Sequence, residues 1–325
     1  MTRRVVARLA LAVGAAIALA PGVRAQATGS TAGAVLELPA TTRAFGLGGA
    51  YTGIVGDEGS VFVNPAGLAG IRKMALGISY QRYLLDSYLV SANGAMRLGR
   101  FDVGIGVNVM NYGQDTVYRP DPAFGGDRGV ADPGGATVGA YSAEAVGAIA
   151  YRFGMFSVGA SAKYLSDHLS IPDTTLYDAS GFAFDAGAAL AFFDIAAFGV
   201  VVQNIGGGLT TNTRTPAPLP RTVRAGFSLN VVDPEGTPRL MVVGDWVSPR
   251  GSRDYWIFGV EGGLVSDGVG LLGRAGVATG RAPSDQKSLV FGGSLVFHSL
   301  QVDYGYQGFS TLGGGTSRIG VRWAP

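Results

Sequence analysis

From Met74 onward the chain alternates apolar and non-apolar residues with a period of two, and no other feature limits its fold as strongly. Phe101, Val103, Ile105, Val107 and Val109 share one face, while Asp102, Gly104, Gly106 and Asn108 share the other. The same division recurs in Val223, Ala225, Phe227, Leu229 and Val231 against Arg224, Gly226, Ser228 and Asn230, and again in Leu300, Val302, Tyr304 and Tyr306 against Gln301, Asp303, Gly305 and Gln307. Helical periodicity would scatter these sets around a cylinder; a strand keeps them on two faces. The pattern predicts about fourteen strands, near 74–84, 87–97, 100–112, 137–151, 154–165, 181–193, 196–204, 221–231, 238–247, 255–264, 268–278, 287–297, 299–307 and 316–324. Most are about 9–11 residues long, enough to cross a bilayer at a tilt. The fold class expected is all-β: a transmembrane antiparallel β-barrel of about 14 strands.

Connection lengths support the same reading. Short links at Leu98-Gly99, Phe153, Asp194-Ile195, Asp233–Gly236, Ser266-Asp267 and His298-Ser299 alternate with longer segments at 113–136, 166–180, 205–220, 248–254, 279–286 and 308–315. Outer-membrane barrels have this asymmetry, with short periplasmic turns and longer outside loops. Leu85-Asp86 is the one short link on the long-loop side. The non-apolar faces are rich in Gly and Ser with single charges, unlike the Lys/Glu-rich surface of a soluble protein. They place Asp102, Glu144, Lys163, Asp185, Arg224, Asp245, Glu261, Arg274 and Asp303 in one lumen, together with Arg152, Arg318 and Arg322. The signs balance, which suits paired charges against a plug.

Composition enters through its contrasts. Of 325 residues 53 are Gly and none is Cys, charged residues make up 15%, and hydrophobic residues 47%. Without a G-X-Y period this is not collagen, and it is too apolar for a disordered chain. Arg3-Arg4, the apolar run Val5–Ala20 and Val23-Arg24-Ala25 have the form of a secretory signal peptide cleaved after Ala25. Cleavage removes Arg3, Arg4, Arg8 and Arg24 and no acidic residue, leaving 21 basic against 23 acidic side chains, a net charge of −2. The basic balance of the full chain thus belongs to the leader, and a nucleic-acid partner loses its electrostatic basis. Three parts are expected: 1–25 signal peptide, 26–72 N-terminal hatch or plug containing a short helix, and 73–325 barrel.

No enzyme or cofactor signature is found. His168 and His298 are the only histidines, one in an expected outside loop and one in a tight turn, and neither has a convergent partner. The P-loop, the G-x-S-x-G elbow and the complete dinucleotide fingerprint are absent, and no metal site is expected. Loop 113–136 carries Asp115, Asp121, Asp127 and Asp132, but their spacing is not an EF-hand; turn chemistry in a solvated loop accounts for them more simply.

The segment before the strands departs from the alternation. Gly46, Gly48, Gly49 and Gly53 permit close backbone approach, and Asn64-Pro65 is a helix start, with Asn capping and Pro at the first helical position. Thr31–Pro39, Arg43–Tyr51, Gly56-Asp57-Glu58 and Asn64-Pro65-Ala66-Gly67-Leu68 together resemble the N-terminus of PorV/PorQ-type proteins, a branch of the FadL-like outer-membrane barrels. The resemblance is specific over residues 31–70 and architectural over the rest. It implies a hatch inside a fourteen-stranded barrel, with Gly46, Gly48, Gly49, Tyr51, Asn64, Pro65 and Ala66 as the hatch motif. It also implies passage of small hydrophobic solutes gated by that hatch, with Phe45, Leu47, Tyr51, Val61 and Phe62 as candidate apolar contacts; packing of these side chains against the wall is the simpler reading. Outer-membrane lipid and hydrophobic small molecules are the implied partners. An alternative within the resemblance is an accessory of type IX protein secretion that binds cargo or secretion components. A second alternative, a soluble periplasmic β-propeller, requires a repeat of about 40–50 residues, which the sequence lacks. The last strand ends in Pro325 where an aromatic residue is expected of a barrel-assembly signal.

Overall fold

The computed structural model describes residues 31–83, 86–121, 128–172, 174–211, 216–232, 235–280, 286–310 and 313–325. The expected signal peptide and cleavage position lie outside them, as does Asp127.

Fourteen strands form one closed antiparallel sheet: β1 Met74–Arg82, β2 Tyr88–Leu98, β3 Phe101–Thr116, β4 Thr137–Phe153, β5 Phe156–Ile171, β6 Thr174–Phe192, β7 Ala196–Ile205, β8 Thr222–Val232, β9 Pro238–Pro249, β10 Tyr255–Ser266, β11 Val269–Thr279, β12 Gln286–Phe297, β13 Leu300–Phe309 and β14 Gly315–Trp323. Each pairs with its neighbours in sequence, and β14 returns to β1 in the register Ile78↔Val321 and Tyr80↔Ile319. Closure leaves no sheet edge among these strands. It also excludes the propeller alternative, since blades are separate small sheets and this is a single wall.

The alternation is inside out relative to a water-soluble barrel. Ile105 and Leu271 are 71% and 62% exposed on the outer face, whereas Asp102 is 1% exposed and Asp245 fully buried. Apolar side chains face outward around the wall, and polar or glycine positions face inward. Aromatic residues concentrate toward both ends of the outer surface, among them Phe153, Phe193 and Trp323 at one end and Tyr112, Tyr141 and Trp256 at the other.

The two ends differ. Four hairpins at one end turn over two residues; in these turns Gly99, Gly154, Asp267, Gly268 and His298 take positive φ, the geometry tight hairpins require. At the other end lie the longer connections, including residues 206–221 and a small two-stranded ribbon, Tyr118–Pro120 with Gly129–Ala131. The expected loop 166–180 is not a loop. β5 and β6 continue as a paired hairpin through Asp167↔Ala179 and His168↔Asp178 to Ile171↔Thr174. His168 therefore sits in a strand, its ring stacked on Tyr141 with centroids 5.2 Å apart. The reason is physical: beyond the apolar band both faces of the hairpin can be polar, so pairing persists where alternation has stopped.

Residues 31–73 run through the lumen from end to end. At the long-loop end Ala32 N donates to Pro218 O and Gly33 N to Asp167 (3.0 Å); at the other end Lys73 leads into β1. Between them lie a 3-10 turn at Ala34–Glu37, helix α1 at Thr42–Gly46, and 3-10 turns at Glu58–Phe62 and Pro65–Leu68. The side chains of Leu47, Tyr51, Ile54, Val61, Phe62 and Leu68 form the main buried apolar cluster together with inward residues of the wall.

Candidate functional site

Three of the four short elements of the luminal segment begin with a side-chain cap, the exception being Ala34–Glu37, which follows Gly33. Thr41 accepts from Ala44 N at the start of α1, Asp57 from Gly59 N, and Asn64 from Ala66 N. Segments this short gain little from helix propagation, so their position depends on the wall, which receives them on glycines. A Cβ at Gly159 would lie 2.5 Å from Pro65 C, and one at Gly53 2.5 Å from the Phe227 backbone. Wall glycines at 187, 199, 276 and 305 likewise face Asn64, Thr52, Leu47 and Phe45 at distances no side chain permits. The glycine face of the strands is thus the mould of the segment.

Polar bonds complete the seat. Asn64 Nδ2 donates to Thr52 O (2.9 Å) and to Ala188 O of the wall (3.4 Å). Ser157 Oγ donates to Ala66 O (3.1 Å), Gln203 Nε2 to Val63 O (2.9 Å), and Ser228 Oγ to Gly53 O (2.8 Å). Gly48 and Gly49 both take positive φ, turning the chain after α1 so that the Tyr51 and Thr52 amides donate to the Asp245 carboxylate. Arg224 binds that carboxylate and also Gly49 O, both at 2.5 Å.

Two ion networks lie inside. In the first, Arg43 of α1 bridges Asp57 (2.8 Å) and Glu261 (2.7 Å), Arg274 binds Glu261 and Asp303, and Arg322 pairs with Glu58 (2.8 Å). Tyr51 donates its hydroxyl to Asp57 at 2.5 Å. Burial and the Asp57 charge raise Glu58, against the pull of Arg322, to a pKa of about 7. Burial alone would raise Asp57, but Arg322 and Arg43 overcome it and hold this carboxyl below its ordinary range. Removing one partner of a pair this buried costs on the order of 3–5 kcal/mol, so the network locks the segment to strands β10, β11, β13 and β14. In the second network Lys163 contacts Asp185 (2.9 Å) and Glu144 (3.4 Å) and donates to Asn204 (3.1 Å). Asp185 interrupts the β6–β7 register, and Asn204, at φ 58°, donates its amide to Asp185 (2.8 Å). This irregularity turns both polar groups inward. Asp102 stands apart, paired with Arg97 (3.0 Å).

The candidate apolar contacts are tightly enclosed. Phe45 packs on Gly305 beneath the Arg318 guanidinium, 5.5 Å from the ring centroid. Leu47 fits against Gly259 and Gly276, and Phe62 against Gly106. Phe62 also borders a cavity of about 70 Å3 shared with Glu144 and Lys163. Tyr51 borders a void of about 20 Å3, and a larger recess of about 430 Å3 opens beneath Val55, Gly70 and Arg72 at the short-turn mouth. The sequence gives no role to Arg43, Asp57 or Glu58, which carry the first network. Their signal was three charges within a glycine-rich, otherwise apolar stretch. Asp132 in the expected outer loop pairs with Arg119 (2.6 Å), and among the described residues no group of three or more His, Asp or Glu side chains could hold a metal ion.

No protein-family model matches the chain, and no curated protein matches its sequence. Solved structures do match. The toluene transporter TbuX of Ralstonia pickettii superimposes with a TM-score of 0.58 at 13% identity, covering 87% of this chain and 98% of the transporter. A Pseudomonas aeruginosa FadL homologue gives 0.56 at 13% identity over 87% and 98% of the two chains. The fold is that of FadL-type barrels. The monoaromatic hydrocarbon channel CymD extends the set, with a TM-score of 0.57 at 14% identity over 88% of this chain and 97% of that one. At these identities it is the fold that is common to them. The likeness runs across nearly the whole length of each neighbour.

Proposed function

We propose that the protein is an outer-membrane channel for small hydrophobic solutes in which the luminal segment acts as a hatch. The observation that carries this reading is the closed, inside-out barrel: an apolar outer face that water would not stabilise, on a fold shared with a toluene transporter and a monoaromatic hydrocarbon channel. The long-loop end faces outward, and a leader cleaved after Ala25 directs export. The hatch must move for a solute to pass, because the enclosed spaces around it, about 20 and 70 Å3, are too small for continuous passage. Such motion must open the Arg43–Glu261 and Arg322–Glu58 pairs; the remaining attachments yield more easily, since glycine contacts impose no side-chain interlock and water can replace the backbone bonds made by Ser157, Gln203 and Ser228. Phe45, Leu47, Tyr51 and Phe62 would become the solute's contacts once the hatch shifts. The secretion-accessory reading rests on residues 31–70 alone, and no contact in the lumen favours it. Uptake of labelled toluene by intact cells tests the proposal. Deleting the gene should lower uptake several-fold and the full chain should restore it, whereas unchanged uptake would exclude the channel.

A further inference from the structure

The cavity of about 70 Å3 beside the second ion network has two unlike walls. The luminal segment supplies Leu38, Pro39, Phe62 and Val63. The barrel supplies Asn108, Glu144, Lys163, Gln203 and Arg224. Two acceptors on the barrel side receive no hydrogen bond, Asn108 Oδ1 and Glu144 Oε1, although their residues are only 2% and 3% exposed. The Asn108 orientation is fixed, since its Nδ2 donates to Glu144 Oε2 (2.8 Å) and a carboxylate could not accept from the opposite flip. Lys163 reaches Glu144 Oε1 only at 3.4 Å, its shorter contacts going to Asp185 (2.9 Å) and Asn204 (3.1 Å). Buried acceptors left open in this way are uncommon and costly. Charge points the same way. With Glu37, which also lines the cavity, the nearby carboxylates Glu37, Glu144, Asp185 and Asp245 outnumber the cations Lys163 and Arg224.

We infer that this cavity binds the hydrogen-bond-donating head of a small amphiphile, a protonated amine in preference to a hydroxyl, with the apolar body lying against Leu38, Pro39 and Phe62. The inference rests on the channel reading for access, and it names the class of solute that pauses inside. The space, about 70 Å3, exceeds several-fold the roughly 10–15 Å3 that admits a single water, enough for a head and the first part of a body. A carboxylate head would face Glu144. A hydroxyl can donate to the open acceptors and can also accept from the unpaired Arg224 Nε, but it leaves the negative charge in place. A plain hydrocarbon leaves both acceptors open.

Four ligands with one body and different heads separate these cases: 2-phenylethylamine, 2-phenylethanol, phenylacetate and ethylbenzene, titrated by calorimetry into the purified full chain at pH 7. The amine should bind at least about tenfold more tightly than ethylbenzene, the gain expected of a charge-assisted hydrogen bond, and phenylacetate should bind most weakly. Glu144→Gln should weaken the amine about tenfold while leaving ethylbenzene within about twofold. Asn108→Leu, which preserves charge, should weaken both amine and alcohol. Heat-modifiable gel migration reports that each variant is folded. An amine that fails to bind, phenylacetate binding as tightly as the amine, or folded variants of both kinds binding the amine like the parent chain would each overturn the inference. Toluene uptake that depends on the gene without amine binding would remove this site and leave the channel. Amine binding without such uptake would do the reverse.

Discussion

At the scale of single residues, the lumen is organised by side chains that have exchanged water for one another. Arg43 is the clearest case: it ties α1 to Asp57 within the segment and to Glu261 in the wall. Glu58 is held by Arg322, yet burial and the neighbouring Asp57 charge place its pKa near 7 rather than the usual 4.5. Its folded pKa exceeds its unfolded one, so the folded state holds the extra proton between about 4.5 and 7, and the Glu58 contribution to stability declines as pH rises through that window. Unfolding temperature should therefore fall from pH 5 to pH 8, and Glu58→Gln should flatten that slope; a slope equal in both proteins would contradict the assignment. Asp57 acts oppositely, its stabilisation being lost only as pH falls below the ordinary carboxylate range. None of this was legible from Asp57 and Glu58 as residues in a motif, because the rise comes first from burial in the assembled lumen and is opposed by Arg322, which lies 264 positions from Glu58.

At the scale of elements, strands were legible wherever one face meets an apolar surroundings and the other a polar interior. That condition enforces period two, with Gly and polar positions alternating against apolar ones along each strand. It fails above the apolar band, which is why the β5–β6 hairpin, with His168, Asp178 and Thr174 in paired strands, reads as a loop. The period also shows that Gly159 and Gly187 point the same way without showing what they receive. The structure supplies it: the Asn64-Pro65-Ala66 turn rests on both. Gly159→Val should consequently unseat the turn without disturbing strand pairing. Limited proteolysis should then cut within residues 50–70 of the variant, while heat-modifiable migration is retained. Resistance equal to that of the parent chain would show that the turn does not depend on this seat.

At the scale of the whole molecule, residues 31–73 enter at the long-loop end, beside Pro218 and Asp167, and leave at the short-turn end. The absence of Cys from the natural chain makes this threading directly measurable. A membrane-impermeant maleimide should label Thr31→Cys in intact cells and Arg72→Cys only after the outer membrane is opened; the reverse order would invert the barrel in the membrane. Fourteen strands and their closure follow from alternation and connection lengths, and the inside-out faces from the Gly- and Ser-rich character of the non-apolar face, whereas the proposed motion of the luminal segment depends on contacts made only in the assembled lumen. The central claim, that solutes pass only when the hatch moves, is tested by fastening it. Gly46 ends α1 against Gly292 of β12, and ideal Cβ atoms at the two positions lie 3.6 and 3.3 Å from the opposite Cα, so cysteines placed there are immediate neighbours. Cells carrying Gly46→Cys with Gly292→Cys should take up labelled toluene at the background rate when oxidised and at the parent rate after reduction. Uptake at the parent rate with the disulfide formed would contradict the account.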